Sequence, residues 1–310
     1  MGNTMQRAFL GIEIGGTKLQ LVAGDESAAI LDRARLNVDP ARGADGIREQ
    51  IRAALPALLA QWKPEAIGAG FGGPVDRSSG RIARSHQVEG WSGFELREWL
   101  HQISRLPVVV ENDSNAATFA EATRGAGAGF NPVFYFNLGS GVGGGLVVDG
   151  RIYHGQAPGE AEFGHLRLER DGTTVEDRCS GWSVDRRLRA LASTIPNGEL
   201  AQLIGPVEGG EAKHLRAAFD AKDAFARQVI AELAEDLSFA LSHVTHLFHP
   251  EVVVMGGGLS LVGEPLRKAV AEALTGRVMK VFCGGPELKL TALGEDAVPI
   301  GALLLASSLR

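Results

Sequence analysis

Residues 133–150 read "VFYFNLGSGVGGGLVVDG", a short apolar run, a glycine turn at Gly139, Ser140 and Gly141, and a second apolar run. Strand, glycine turn and strand follow one another here. Residues 9–25, "FLGIEIGGTKLQLVAGD", repeat that plan. Two copies of one plan, far apart in the chain, predict two architecturally similar halves. After the first copy, "AAILDRARLNV" reads as a third strand. "GADGIREQIRAALPALLAQWK" then places Ile47, Ile51, Leu55, Leu58, Leu59 and Trp62 on one helical face. "AIGAGFGG" and "LPVVVEND" are strand-like, "FELREWLHQI" is a short helix, and "NAATFAEATRG" is a helix stopped by Gly125. After the second copy, a long helix is predicted from about Lys222 to Phe248, with Phe225, Val229, Leu233, Leu237, Leu241, Val244 and Phe248 apolar and Pro250 closing it. "EVVVMGGG" follows as a buried strand and "LVGEPLRKAVAEAL" as a helix. Strands alternating with helices argue for α/β architecture.

Bulk properties exclude several classes. A chain of 310 residues that is 45% hydrophobic can bury a full core and is expected to form two domains. The net charge of -6 and the absence of any basic run speak against a nucleic-acid partner. No stretch reaches the roughly 20 apolar residues that span a bilayer, and "MGNTMQRAFLGIEIGG" has neither a secretory h-region nor the Ser or Thr that myristoylation wants at Gln6. The expected location is the cytoplasm, with no membrane association. Cys179 and Cys283 are too few for a disulfide framework or a cysteine-rich metal site. His243, His246 and His249 recur near a helix C-terminus, where the dipole favours a cation, and are expected to serve that end rather than a metal.

Glycine clusters at strand ends let backbone N–H groups approach phosphate oxygens. Three stand out: Gly15-Gly16, Gly139 to Gly145, and Gly256 to Gly258. "GSGVGG" formally fits G-x-G-x-x-G, but the dinucleotide site needs a helix immediately after the turn, and "GLVVDGRIY" continues as strand and turn. A nicotinamide enzyme is therefore not expected. In "GGTKLQLV" the lysine precedes a strand, so no Walker loop is present. Hairpin tips gripping one polyphosphate remain. Residues 159–182, "GEAEFGHLRLERDGTTVEDRCSGW", leave three readings open: half a metal site, part of a polar pocket, or a charged loop.

With these segments in hand, the chain resembles the ROK sugar kinases and repressors of the actin-like ATPase superfamily. "IEIGGTK", "GFGGPVD", "ENDSNAATFAEA", "NLGSGVGGG", "GEAEFGH" and "VVVMGGGLS" stand in family order and cover nearly the whole chain. The resemblance implies two RNase H-like domains with a cleft between them, residues 1–122 and 123–295, with a helix at 296–310 packing back on the first. It also implies an ATP-dependent hexose kinase using Mg2+, acting on the 6-hydroxyl of glucose or a related sugar. Asp113 matches the family's general base. Gly15, Gly16, Thr17 and Lys18, with Gly139, Ser140 and Gly141, match the phosphate loops; Gly257 and Gly258 match the adenosine side. Gly73, Gln87, Asn112, Asp113, Glu162, His165 and Glu176 match the sugar pocket. Read from the residues alone, Asp113 could equally be a helix cap.

Two departures mark this chain. Glu13 stands where relatives carry an aspartate expected to hold magnesium through water, and Gln87 stands where many have asparagine. A third concerns metal. Relatives carry a zinc loop of the form C-x-C-G-x-x-G-C-x-E after E-x-G-H; here that loop has contracted and its cysteines are missing. A structural zinc needs four ligands, so no zinc is expected. Partners are expected to be a small-molecule sugar and ATP, with a homodimer as the family's common assembly. A sugar-sensing binding protein without catalysis is the rival reading, motivated by Glu13. A repressor is disfavoured by charge and by a first strand that begins almost at once.

Overall fold

The structure is a computed structural model and describes residues 7–85, 88–159, 161–195, 198–206, 208–282 and 284–309. By internal contacts the chain divides into two compact units. Residues 1–120, 152–160 and 295–310 form the first, and residues 121–151 and 161–294 the second. The segment 152–160 thus joins the first unit, although a single linear boundary after residue 122 assigns it to the second.

In the first unit, β1 (Ala8–Ile14) and β2 (Lys18–Asp25) form the antiparallel hairpin predicted from the opening motif, with Glu13 opposite Gln20 and Ile14 opposite Leu19. β3 (Ile30–Asn37) extends it antiparallel. Helix α1 (Gly43–Trp62) buries Ile47, Ile51, Leu55 and Leu58, four of the six face positions, while Leu59 and Trp62 are half-buried. β4 (Ile67–Phe71) runs parallel to β1. A small hairpin of β5 (Val75–Asp76) and β6 (Arg81–Ile82) leads to α2 (Leu96–Ser104). β7 (Val108–Asn112) pairs parallel with β4 and passes directly into α3 (Asp113–Arg124). The sheet order is β3-β2-β1-β4-β7.

The second unit repeats that plan. β8 (Val133–Leu138) and β9 (Val142–Val148) are its antiparallel hairpin, and β10 (Arg151–Ile152) is a short edge. Four helices that the apolar pattern did not delineate follow: α4 (Val175–Cys179), α5 (Gly181–Thr194), α6 (Glu199–Ile204) and α7 (Leu215–Asp220). The long helix α8 (Ala224–Phe248) buries Val229, Leu233, Leu237, Leu241 and Val244; Phe225 is half-buried and Phe248, expected on the same face, is exposed. It ends where His249 turns left-handed at φ 45° just before Pro250. β11 (Val252–Gly256), α9 (Glu264–Thr275) and β12 (Glu287–Leu290) complete the unit, whose sheet order is β10-β9-β8-β11-β12.

The chain then returns to the first unit through α10 (Ala297–Ser308). Its approach is possible because the sheet offers glycine: a Cβ on Gly68 would overlap the Ala302 carbonyl, and one on Gly11 would lie 2.9 Å from the Pro299 carbonyl oxygen. Each fully buried aliphatic side chain in such a layer contributes about 1.5–3 kcal/mol. Among the described residues, no helix is long and apolar enough to cross a membrane.

Candidate active site

Within the first unit, the tip of the β1–β2 hairpin is a tight turn through Gly15, Gly16 and Thr17, closed by the Gly15 amide donating to the Lys18 carbonyl at 2.9 Å. Register places Glu13 and Gln20 side by side across the hairpin. Gln20 Nε2 donates to Glu13 Oε2 at 2.6 Å, and Lys18 Nζ lies 3.3 Å from the same oxygen. Burial nevertheless dominates, holding the Glu13 carboxyl above the ordinary carboxylate range, with Lys18 and Gln20 pulling the other way. Arg33 Nη1 donates to Gln20 Oε1 at 3.1 Å and orients that amide.

At the C-terminal end of β7 the chain turns straight into α3. Asn112 caps the helix, its Oδ1 accepting the Asn115 amide at 3.0 Å, and its Nδ2 donates to the Gly73 carbonyl at 3.2 Å. Asp113 is the first helical residue, and its Oδ1 accepts the Ser114 amide at 2.7 Å. A Cβ on Gly72 would lie 3.4 Å from Asp113 Oδ2, so the GFGG turn passes close to that oxygen. Capping is thus chiefly the work of Asn112. The preceding residue, Glu111, accepts the Asn112 amide and Asn115 Nδ2 on one oxygen, both at 3.0 Å. Its other oxygen lies 2.7 Å from His154 Nε2. Gly15, Gly73, Asn112 and Asp113 all belong to this unit.

Within the second unit, the turn at Gly139, Ser140 and Gly141 is closed by the Gly139 amide donating to the Gly141 carbonyl at 2.9 Å, and strand β9 follows it. The helix a dinucleotide site needs is not there. Gly181 N donates to the Gly139 carbonyl at 2.6 Å, and Glu176 Oε2 accepts the Val142 amide at 2.8 Å. Gly144 is a packing glycine: a Cβ there would lie 2.8 Å from the Ala161 carbonyl oxygen and 2.9 Å from Phe163 Cβ. That closeness seats the one-turn 3-10 helix at 163–165, with Phe163 buried and Glu162 and His165 exposed on either side of it. The third glycine turn follows β11. Gly257 has φ 78°, and a Cβ on it would lie 2.5 Å from the Leu138 amide nitrogen, so β11 and β8 end side by side.

The contracted loop after His165 is held by the protein's own polar groups. The Leu168 amide donates to the Thr173 carbonyl at 2.8 Å, and the Val175 amide to the Leu166 carbonyl at 3.0 Å. Asp171 Oδ1 accepts the Thr173 amide at 2.9 Å. Thr174 and Asp177 form a reciprocal capping box that starts α4. Arg178 bridges Glu169 on the loop to Asp236 on α8. Cys179 is buried, and burial pushes its thiol well up.

Of the histidines at the C-terminal end of α8, His243 packs on Phe239, while His246 and the capping His249 both pack on Phe282, at 5.8 and 4.1 Å, and His246 Nε2 accepts the Met279 amide at 3.3 Å. Gln87 and Cys283 lie outside the described residues. Glu111, His154 and Gln20 were not singled out from sequence. An apolar strand ending in a carboxylate was the available signal for Glu111; for His154 there was none.

The model of the ROK family matches residues 9–308. A glucokinase of Halalkalibacterium halodurans is 30% identical over 309 residues, covering 95% of this chain and 93% of that protein. A glucokinase of Streptomyces coelicolor is 31% identical over 314 residues, 96% of each. Among solved structures, a ROK family glucokinase from Streptomyces griseus in complex with glucose and AMPPNP is 31% identical, with a TM-score of 0.84 covering 96% of this chain and 99% of that one. A ROK hexokinase from Thermus thermophilus matches at 27% identity and a TM-score of 0.76. The fold is the actin-like two-domain α/β fold.

Proposed function

The chain belongs to the ROK family, and on that premise we propose that this ATP-dependent sugar kinase transfers the γ-phosphoryl group of ATP to the 6-hydroxyl of glucose or a related hexose, with Asp113 as general base. The Halalkalibacterium halodurans and Streptomyces coelicolor relatives named above are glucokinases, which supports glucose as the first sugar to try. The observation that carries the reading is the division of labour at the β7–α3 junction. Asn112 performs the capping, and Glu111 binds the junction from behind. Asp113 is thereby held at the C-terminal edge of a parallel strand, where α/β folds bind ligands.

Phosphoryl transfer to an alcohol asks for positioning, charge stabilisation and a proton acceptor near the hydroxyl. A positioned base contributes about 10²- to 10⁴-fold. In this reading Asp113 Oδ2 takes the hydroxyl proton, while Oδ1 stays on the Ser114 amide. Gly15, Gly16, Thr17 and Lys18, together with Gly139, Ser140 and Gly141, present backbone and side-chain donors to the phosphates. Gly257 and Gly258 flank the adenosine. Gly73, Asn112, Glu162, His165 and Glu176 serve the sugar hydroxyls, as does Gln87 by its place in the sequence.

Magnesium, when bound, would neutralise charge on the phosphates. Glu13 suits it through water rather than directly, because Oε2 already accepts from Gln20 and faces Lys18. A nearby dication would also favour the ionised carboxylate that burial disfavours. Zinc has no place in this reading, since the loop that carries it in relatives is here tied by Thr174, Asp177 and Arg178.

Purified protein incubated with magnesium-ATP and a panel of hexoses tests the reading. ADP release that depends on glucose or a related hexose is expected. Sugar binding without ADP release would instead establish a sensor.

A further inference from the structure

We infer that His154 is a positioning residue for the proposed base, acting on Asp113 through Glu111. The inference rests on the kinase reading for its consequence in turnover, and on the geometry of the first unit for the tether itself. Residues 152–160 pack within that unit. The segment is tightly folded there: a Cβ on Gly159 would overlap the Gln156 carbonyl and lie 2.6 Å from the His154 carbonyl oxygen. His154 therefore sits on a built loop, with its side chain 15% exposed against a Glu111 side chain that is 5% exposed.

The hydrogen-bond pattern fixes the imidazole's protons. Arg77 Nη1 lies 3.2 Å from His154 Nδ1. A guanidinium offers donors alone, so Nδ1 must accept, and in the neutral ring the proton is then on Nε2. That nitrogen lies 2.7 Å from Glu111 Oε2 and donates to it. The other Glu111 oxygen accepts the Asn112 amide and Asn115 Nδ2. One buried carboxylate thus gathers donors from the end of β7, from the first turn of α3 and from the 152–160 segment. Asp113 lies between the two asparagines it grips.

Removing the imidazole would leave Glu111 Oε2 buried without that donor, and the carboxylate would turn or draw water toward it. Asp113 would shift with the junction. Loss of such an outer partner typically costs about 10- to 100-fold, and a misplacement of about 1 Å can cost roughly 10²-fold.

The test compares wild type with His154→Ala and His154→Gln, first confirmed as folded by circular dichroism. Initial rates with hexose and magnesium-ATP are measured alongside hydrogen exchange of the peptide spanning residues 111–118. His154→Ala is expected to lower kcat about 10- to 100-fold, to leave the KM for ATP within about threefold, and to speed exchange in that peptide. His154→Gln, whose amide can donate to Glu111, is expected to recover most of both. Unchanged exchange in His154→Ala, or unchanged kcat in an active enzyme, would overturn the inference. A wild-type protein with no sugar-dependent ADP release but faster exchange in His154→Ala would sink the kinase reading and leave the tether standing.

Discussion

Glu176 Oε2 accepts the backbone amide of Val142 at 2.8 Å, so a carboxylate aligned with the family's sugar pocket also holds the end of the second glycine turn. Gly181 N grips the other end of that turn through the Gly139 carbonyl at 2.6 Å. The segment 176–181 therefore clamps the turn proposed to bind phosphate.

A split between two substitutions follows. Glu176→Ala removes the acceptor and is expected to raise the KM for ATP about 10-fold, the scale of a lost hydrogen bond to a charged group. Glu176→Gln keeps an oxygen for Val142 and is expected to leave the ATP KM within about twofold while raising that of the sugar. Initial-rate kinetics distinguish them. Equal ATP KM values in the two variants would show that the clamp does not matter.

Glu13 makes a prediction in pH. Burial raises its carboxyl above the ordinary range of about 4.3. The native state thus keeps a proton that the unfolded chain has already lost. The stability this contributes is fully present below the ordinary value and fades as pH rises through the raised one. Glu13→Gln has no such proton to lose. Thermal unfolding between pH 4 and 7 should therefore show the variant gaining on wild type as pH rises, by at most about 1.4 kcal/mol per unit. A constant difference would contradict the assignment.

Gly68 carries the seat of α10. A Cβ there would overlap the Ala302 carbonyl, which is backbone and cannot rotate away. Gly68→Ala is expected to destabilise by about 1–3 kcal/mol or more, lowering the Tm by roughly 5 °C. An unaltered Tm in a thermal scan would mean that α10 does not pack where the structure puts it.

The loop after His165 predicts indifference to chelators. Where a structural metal holds a fold, removing it unfolds the domain. Here Thr174, Asp177 and Arg178 hold the loop, so exhaustive treatment with EDTA should move the Tm by less than about 1 °C. Thr174→Ala, which removes the cap, should cost about 1 kcal/mol. A large fall with EDTA would point to a metal.

Much of this was legible in the sequence because period and punctuation agree. Both hairpins announce themselves by apolar runs around glycine turns, and α1 by six face positions of which four are buried and two half-buried. Three of the four helices between residues 175 and 220 were not legible, because α4, α6 and α7 are only five or six residues long and span too few turns to establish a period. Spacing puts Phe248 on the apolar face of α8, but it is the last residue of the helix and is exposed. In the candidate site, Asp113 is proposed through its motif. Glu111 carries the weak signal of a carboxylate ending an apolar strand and His154 carries none, since residues 43 positions apart are joined by the path of the segment 152–160. Gly144 belongs to the second glycine cluster, and it packs closely against Ala161 and Phe163.

Asp113 is the proposed acceptor of the sugar hydroxyl's proton. The most direct measurement is sugar-dependent ADP release by Asp113→Asn, beside calorimetric binding of the same sugar. Asparagine preserves the shape and the Ser114 contact and removes the base. A loss of kcat of about 10²-fold or more is expected, with sugar binding retained. Turnover within a few-fold of wild type would contradict it.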